Sequence, residues 1–374
     1  MNFETFALDA RLNAGIRDVG FVTPTPIQQQ AIPHVLNGRD IIGIAQTGTG
    51  KTAAFMLPIL QKLTTGPLRR PRALILAPTR ELAEQIHQTA VDLSKHTKIR
   101  SLTIYGGVGK QPQINNLKRG AEIVVACPGR LLDLVGDRAI DLSQIEMLVL
   151  DEADRMCDMG FLPDIRRIIK LLPRQRQSLF FSATMPKEVR KLATTILKNP
   201  VQVQVDVIAP AQTVSHALYP IAQNRKKSLL FDMLENMAIG RALVFTRTKR
   251  RARFLARDLE KKGYSVSALQ GNMSQSRRQK AIDGFRDGKF DILVATDVAS
   301  RGIDVPDISH VINFDMPDTV DAYTHRVGRT GRAKESGEAF TFVSPEDSGL
   351  VGQIEKVLGT PIERRRLPDF NYSS

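Results

Sequence analysis

The stretch Ala45-Gln46-Thr47-Gly48-Thr49-Gly50-Lys51-Thr52 constrains this chain more than any other. A short apolar run at 40–44 precedes it and a helix-forming run at 53–63 follows it. Strand, glycine-rich turn and helix is the layout of a phosphate-binding loop, so the surrounding chain has to be α/β. Glycines let backbone N–H groups turn inward around phosphate oxygens. Lys51 can set a positive charge on the terminal phosphates, and Thr52 can offer a hydroxyl to Mg²⁺. The generic pattern opens with glycine; Ala45 stands there instead.

The rest of the chain supplies the expected alternation. Strands are expected near 40–45, 73–77, 101–105, 122–126, 147–150, 179–182 and 201–205, with helical stretches such as 80–96 and 161–172 between them. Buried apolar strands alternating with helices make a doubly wound parallel sheet. Periodicity lapses around 207–213, an Ala/Pro/polar stretch. A second α/β series follows, with strands near 242–245, 265–269, 292–295, 310–314 and 339–343, and it has no phosphate loop of its own. The expected division is a first domain at 1–206, a linker at 207–214, a second domain at 215–362 and a basic tail at 363–374. A length of 374 residues suits two or three domains. Two similar domains sharing one phosphate loop imply a nucleotide held between them.

Net charge is +14, which favours nucleic acid or another polyanion as partner. Trp is absent and aromatics make up 6%, so contacts to a nucleic-acid backbone are favoured over stacking platforms. The two cysteines, Cys127 and Cys157, cannot build a Cys-rich zinc site and do not form a disulfide framework. No basic segment followed by an apolar core opens the sequence, and no apolar run approaches the roughly 18 residues that span a bilayer. The expectation is a reducing, cytoplasmic setting without a membrane.

Asp151-Glu152-Ala153-Asp154 directly follows the apolar run 147–150. Carboxylates at the C-terminal end of a parallel strand lie where such sheets bind ligands. Beside a phosphate loop, Asp151 would hold Mg²⁺ through water. Glu152 would orient or deprotonate an attacking water; the plainer reading is an acidic turn opening a helix. In His325-Arg326-Val327-Gly328-Arg329-Thr330-Gly331-Arg332, three arginines at three-residue spacing would fall near one face of a helix. Gly328 and Gly331 lower helix propensity there and allow a close approach to the backbone.

With these motifs in this order, the chain resembles the DEAD-box ATP-dependent RNA helicases from Phe3 to about Arg332, and most nearly their bacterial RhlE subgroup. The resemblance implies two RecA-like domains, each a mainly parallel sheet flanked by helices, joined by a short linker. It also implies ATP hydrolysis with Mg²⁺, coupled to local, sequence-nonspecific unwinding of RNA. Single-stranded and duplex RNA would be bound through the backbone, and ribosomal or mRNA-decay RNPs are the partners implied. Within the block 20–28, Gln28 would read adenine, since its amide offers one donor and one acceptor; Phe21 would pack on the base and Phe3 is the isolated upstream aromatic. Ser182 and Thr184 match the motif coupling hydrolysis to strand separation. Arg326 and Arg329 would be arginine fingers on the γ-phosphate, His325 would link to the carboxylate motif, and Arg332 would brace. Gly302 and Asp304 would lie at the ribose. RNA contacts would come from Pro78, Thr79, Arg80, Gly107, Pro128, Gly129, Arg130, Arg247, Gly271 and Thr296. The cluster Arg247, Lys249, Arg250, Arg251 and Arg253 divides between surface and track. Cys127 replaces the family threonine before Pro128 and loses its hydroxyl. The rival readings are a DNA translocase with the same ATPase core and an ATP-gated RNA clamp that hardly hydrolyses.

Overall fold

The structure is a computed structural model that describes residues 2–45, 48–205, 214–297, 305, 307–331 and 337–372. The chain divides into two compact units, Met1–Val207 and Ile208–Ser374.

In the first unit the strands are β1 (Ile41–Ile44), β2 (Ala73–Leu76), β3 (Ser101–Ile104), β4 (Ile123–Ala126), β5 (Met147–Leu150), β6 (Gln177–Ser182) and β7 (Val201–Gln204). They form one parallel sheet in the order β3-β4-β2-β5-β6-β1-β7. Successive side chains leave a strand on opposite faces. Ala73 and Ile75 therefore enter one apolar cluster while Leu74 and Leu76 enter the other. Both faces are covered over the central strands, which is why β2, β4 and β5 read as unbroken apolar runs, whereas the edge strands β3 and β7 alternate apolar and polar residues. Because the sheet is parallel, all its carboxyl ends share one edge. The loops after β1, β6 and β5 are neighbours there, and those after β2, β4 and β3 continue the row.

The second unit has β8 (Val214–Pro220), β9 (Ala242–Phe245), β10 (Val266–Leu269), β11 (Ile292–Ala295), β12 (His310–Asn313), β13 (Gly337–Val343) and β14 (Glu363–Arg364). Their order, β10-β11-β9-β12-β13-β8-β14, is that of the first sheet with seven added to each number, and again every pair is parallel.

This repetition corrects two expectations. β8 begins at Val214, the last residue of the expected linker, and is a strand the sequence pattern did not reveal; the linker's other residues, 207–213, lie outside the described ones. The segment from 363 is no basic tail. Glu363 and Arg364 pair with Ala217 and Leu218 in the place β7 holds beside β1. The Arg365 amide donates to the Leu218 carbonyl (2.8 Å), and Leu367 is buried. Phe370 and Tyr372 pack edge to face on each other and lie against the core cluster that holds Leu367. Among the described residues no helix is long and apolar enough to cross a membrane.

Candidate functional site

The helix Lys51–Leu63 starts at the end of β1's loop, capped by Gly50 in the left-handed region (φ 92°), with Gly48 at φ 87°. A Cβ on Gly50 would lie 2.5 Å from Gln28 Nε2, so conformation and space both require glycine. The Lys51 side chain is buried, and its Nζ donates to the Ala45 carbonyl at 2.7 Å, turning the ammonium back into its own loop. Thr52 follows in the first helical turn and Thr49 is half-buried; Gln46 and Thr47 lie outside the described residues.

Gln28 is buried and joins two elements. Its Oε1 accepts from the Thr25 amide (2.9 Å), capping the helix Pro26–Leu36, and its Nε2 donates to the Gly50 carbonyl (3.1 Å). The amide keeps one N–H and one oxygen lone pair, the donor–acceptor pair an adenine edge requires. Phe21 is exposed and stacks on buried Phe3, with ring centroids 6.0 Å apart and planes 20° from parallel.

Asp151 leaves β5 almost wholly buried. Burial pushes its carboxyl up to about 6, while the nearby Lys51 ammonium pulls the other way. Glu152 is buried too and sits at φ 52°, ψ 52°, a left-handed conformation that costs a non-glycine residue about 1–2 kcal/mol. It forms an ion pair with Arg155. Asp154 is a site residue that the sequence reading left without a role. Its carboxylate accepts from the Thr184 amide (2.8 Å), the Thr184 hydroxyl (2.9 Å) and the Arg155 amide (3.0 Å). Its own amide donates to Ser182 Oγ at 3.2 Å, and Ser182 Oγ donates to the Thr184 carbonyl at 2.7 Å. The loops after β5 and β6 are thereby tied through one carboxylate. The signal was present as the fourth residue of the acidic tetrad.

One buried carboxylate and one hydroxyl suit a hard cation that keeps most of its water and leans on a substrate's phosphates, as Mg²⁺ does. Among the described residues no group of three or more acidic, His or Cys side chains could hold a metal by itself.

Further along the same edge, Thr79 follows β2 and caps the helix Arg80–Leu93, its hydroxyl accepting from the Leu82 amide at 3.3 Å; Pro78 precedes it. The Arg80 guanidinium lies 4.6 Å from the centre of the Tyr105 ring just beyond β3. Gly107 has φ 80°, and the space before Gly107 and Gly129 is open, which exposes the backbone. After β4, Cys127 and Pro128 open the helix Pro128–Gly136. Arg130 donates through Nη2 to the Val108 carbonyl (3.0 Å). Arg80 Nε and Arg130 Nη1 are buried and have no hydrogen-bond partner among the described residues, so each offers a spare donor. Burial pushes the Cys127 thiol up to about 12, and it makes no cap bond, so it does not stand in for the missing hydroxyl. Contacts to an anion here rest on Arg130 and the backbone.

In the second unit Arg247 follows β9, held by its amide donating to Asp315 Oδ2 (2.9 Å) and by Nη2 donating to the Met316 carbonyl (3.3 Å). Gly271 lies in open space two residues beyond β10, and Thr296 is buried just after β11. Gly302, Asp304 and Arg332 lie outside the described residues.

The arginine motif departs from the sequence expectation. The helix Val320–Val327 stops at its cap, Gly328, so Arg326 lies inside it and Arg329 beyond it, and they do not share a helical face. Arg326 is 2% exposed. Its Nε and Nη2 donate to both oxygens of Asp297 (2.6 and 2.7 Å), and its Nη1 donates to Asn313 Oδ1 (3.2 Å) and the Asp315 carbonyl (2.7 Å). The guanidinium also lies 5.0 Å from the centre of the Phe245 ring. Arg326, expected as a finger on the γ-phosphate, instead braces the second unit, because four of its five N–H donors are engaged by that unit's own residues. Arg329 is buried and donates its amide to the Arg326 carbonyl (3.1 Å), whereas His325 is exposed.

Two RecA-like units, one carrying a phosphate loop with buried acidic residues beside it, define a nucleotide-binding core of the helicase class. A DEAD/DEAH box helicase family model matches residues 25–192, and a helicase conserved C-terminal domain model matches 225–334. The chain belongs to the DEAD-box ATP-dependent RNA helicase family. It is 43% identical to the DEAD-box ATP-dependent RNA helicase 14 of Arabidopsis thaliana over 96% of this chain, but spans only 59% of that relative's length. It is 40% identical to the DEAD-box ATP-dependent RNA helicase RhpA of Helicobacter pylori, over 99% of this chain and 75% of that one. The structure of S. cerevisiae Dbp5 bound to RNA and ADP BeF3 superposes with a TM-score of 0.87 at 33% identity, covering 97% of this chain and 95% of that one.

Proposed function

We propose that the chain hydrolyses ATP and uses the energy to open RNA duplexes locally and without sequence preference. One observation carries the reading: the order of the first sheet sets the nucleotide loops after β1, β6 and β5 in one row with the loops that hold Arg80, Gly107 and Arg130. Asp154 bonded to Ser182 and Thr184 lies within that row. Gln28, with Phe21 stacked on Phe3, is the adenine-reading element. Lys51 and the loop amides bind the phosphates, and Arg329 keeps its role of bringing charge to the γ-phosphate as a proposal. His325, Gly302 and Asp304 keep their roles as proposals. Thr52 and Asp151, the latter through water, would hold a Mg²⁺ that neutralises charge on the phosphates. Glu152 orients the attacking water and takes its proton. Arg80, Arg130, Arg247, Thr79, Thr296 and the glycine backbones hold the RNA phosphates.

The finer assignment to an RhlE-type enzyme acting on ribosomal or mRNA-decay RNPs in the cytoplasm rests on the motif core alone, since the segment from 363 belongs to the second unit's fold. Copurification of those RNPs tests it. The main reading is tested by the ATPase rate without polymer, with single-stranded RNA and with single-stranded DNA, run beside an RNA-unwinding assay. RNA should stimulate hydrolysis more than DNA and unwinding should need ATP. Equal stimulation by both polymers favours the DNA translocase and overturns the reading.

A further inference from the structure

The helix Lys249–Lys261 packs Ala252, Leu255, Ala256 and Leu259 onto the second sheet. Its other side carries Arg250, Arg253 and Arg257, all exposed, arrayed around Phe254 with guanidiniums 5.6, 5.2 and 4.8 Å from the ring centre. Residues i, i+3 and i+7 form one stripe along a helix. Among the described residues none of these three arginines is in an ion pair. Elsewhere exposed arginines do take carboxylates, as Arg11 takes Asp9, Arg286 takes Asp283 and Arg364 takes Glu355. Asp258, on the same helix, pairs away from the stripe with Lys227.

Three cations around one ring repel each other. The ring's quadrupole offsets only part of this, since a cation–π contact at an exposed site is a weak attraction. The stripe is therefore a preorganised positive surface whose missing partner is an anion with several charges in a row. Guanidinium forks fit phosphate oxygens. Its position indicates which polyanion. The helix begins two residues after Arg247, and Lys249 Nζ donates to Asn272 Oδ1 (3.1 Å) beside Gly271. From Arg250 to Arg257 the helix rises about 10 Å away from those loops.

We propose that Arg250, Arg253 and Arg257, arrayed around Phe254, form an outlying RNA-phosphate site that continues the track starting at Arg247 and Gly271. This rests on the RNA reading above and extends it to RNA longer than the core needs for stimulation. Phe254 is the platform for the arginines rather than for a base, so the site carries no sequence preference.

The test compares wild type with the triple variants R250A/R253A/R257A and R250K/R253K/R257K. Affinity is measured by fluorescence anisotropy for a long oligouridylate and for the shortest oligouridylate that stimulates the ATPase, across a salt series. The alanine variant should bind the long RNA roughly tenfold more weakly at ~0.1 M salt. Its log–log salt slope should fall by about 2, because each lost phosphate contact on a single strand contributes about 0.7. Binding of the short RNA should not change. The lysine variant should keep most of the slope, which shows that charge rather than misfolding is responsible. An alanine variant that binds long RNA like wild type, or that loses long and short RNA equally, overturns the proposal. Unchanged RNA binding together with lost binding to polyglutamate assigns the stripe to an acidic protein segment and also overturns it. A wild type that binds no RNA at all overturns the underlying RNA reading, a result distinct from either of these.

Discussion

Replacing Arg326 by alanine should cost the second unit its stability and not merely its activity. The guanidinium holds both oxygens of Asp297, Asn313 Oδ1 and the Asp315 carbonyl. Removing one member of a buried ion pair costs about 3–5 kcal/mol, because the remaining charge stays without a partner. The Asp297 side chain is 30% exposed, so water recovers part of this and the lower end applies. Asn313 is fully buried; it keeps its bond to Thr341 Oγ1 (3.0 Å) but loses the arginine, which adds about 1 kcal/mol. The sum is about 4 kcal/mol, a large share of the roughly 5–15 kcal/mol that holds a domain folded. For a unit of this size it lowers the melting temperature by about 10 °C. Scanning calorimetry of the full chain measures the shift. Hydrogen exchange of the peptides covering 310–316 and 320–331 locates it. Arg326→Lys should fall between the two, since one ammonium cannot serve Asp297 and Asn313 together. Asp297→Asn should destabilise the same peptides, which a purely catalytic role for Arg326 does not predict. If Arg326→Ala melts with wild type while RNA-stimulated hydrolysis is abolished, the brace is wrong and the residue acts on the nucleotide.

Glu152→Gln should still bind ATP and RNA but hydrolyse at least about 100-fold more slowly, the scale of a lost general base; phosphate release near the wild-type rate removes that role. Gln28→Ala should erase a preference for ATP over GTP, read from the ratio of kcat/KM values, and a wild type that uses both equally rules out adenine reading by Gln28. Burial lowers the His216 imidazole to about 4, where its ring faces the Tyr323 hydroxyl at 2.7 Å. The unfolded chain protonates this group near 6.5 and the folded chain only near 4, so stability is complete above pH 6.5 and is lost as pH falls through that window. Urea unfolding should show the second unit weaker at pH 5 than at pH 7.5 by about 1–2 kcal/mol, and His216→Gln should flatten the difference. An unaltered pH profile in that variant refutes the assignment.

Most strands were legible because a parallel sheet covered on both faces demands continuous apolar runs. The exceptions have tertiary causes. β6 begins at Gln177 and Ser178, polar residues that read as loop. Gln177 is buried because its Nε2 donates to the Val35 and Arg39 carbonyls, and the Ser178 amide is met by Asp40. β14 is two charged residues long and becomes a strand only because β8 offers its free edge. Asp315, which the sequence reading passed over, holds the Arg247 amide with its carboxylate and Arg326 with its carbonyl. No local pattern announces such a residue.

The phosphate loop could be recognised from sequence because each of its requirements is met within a dozen contiguous residues: a strand, glycines free to take φ near 90°, and a helix whose first residue is Lys51. The same holds for the acidic tetrad after β5. The arginine motif is the opposite case. Three-residue spacing assigned Arg326 and Arg329 to one face, but the helix stops at Gly328. Arg326 turns inward to Asp297, Asn313 and Asp315, residues contributed by other strands and loops of the unit. Sequence alone determined which chemistry the chain carries. The packed fold decided which charged groups remain available to a ligand, because that depends on donors and acceptors brought together from segments far apart in the chain.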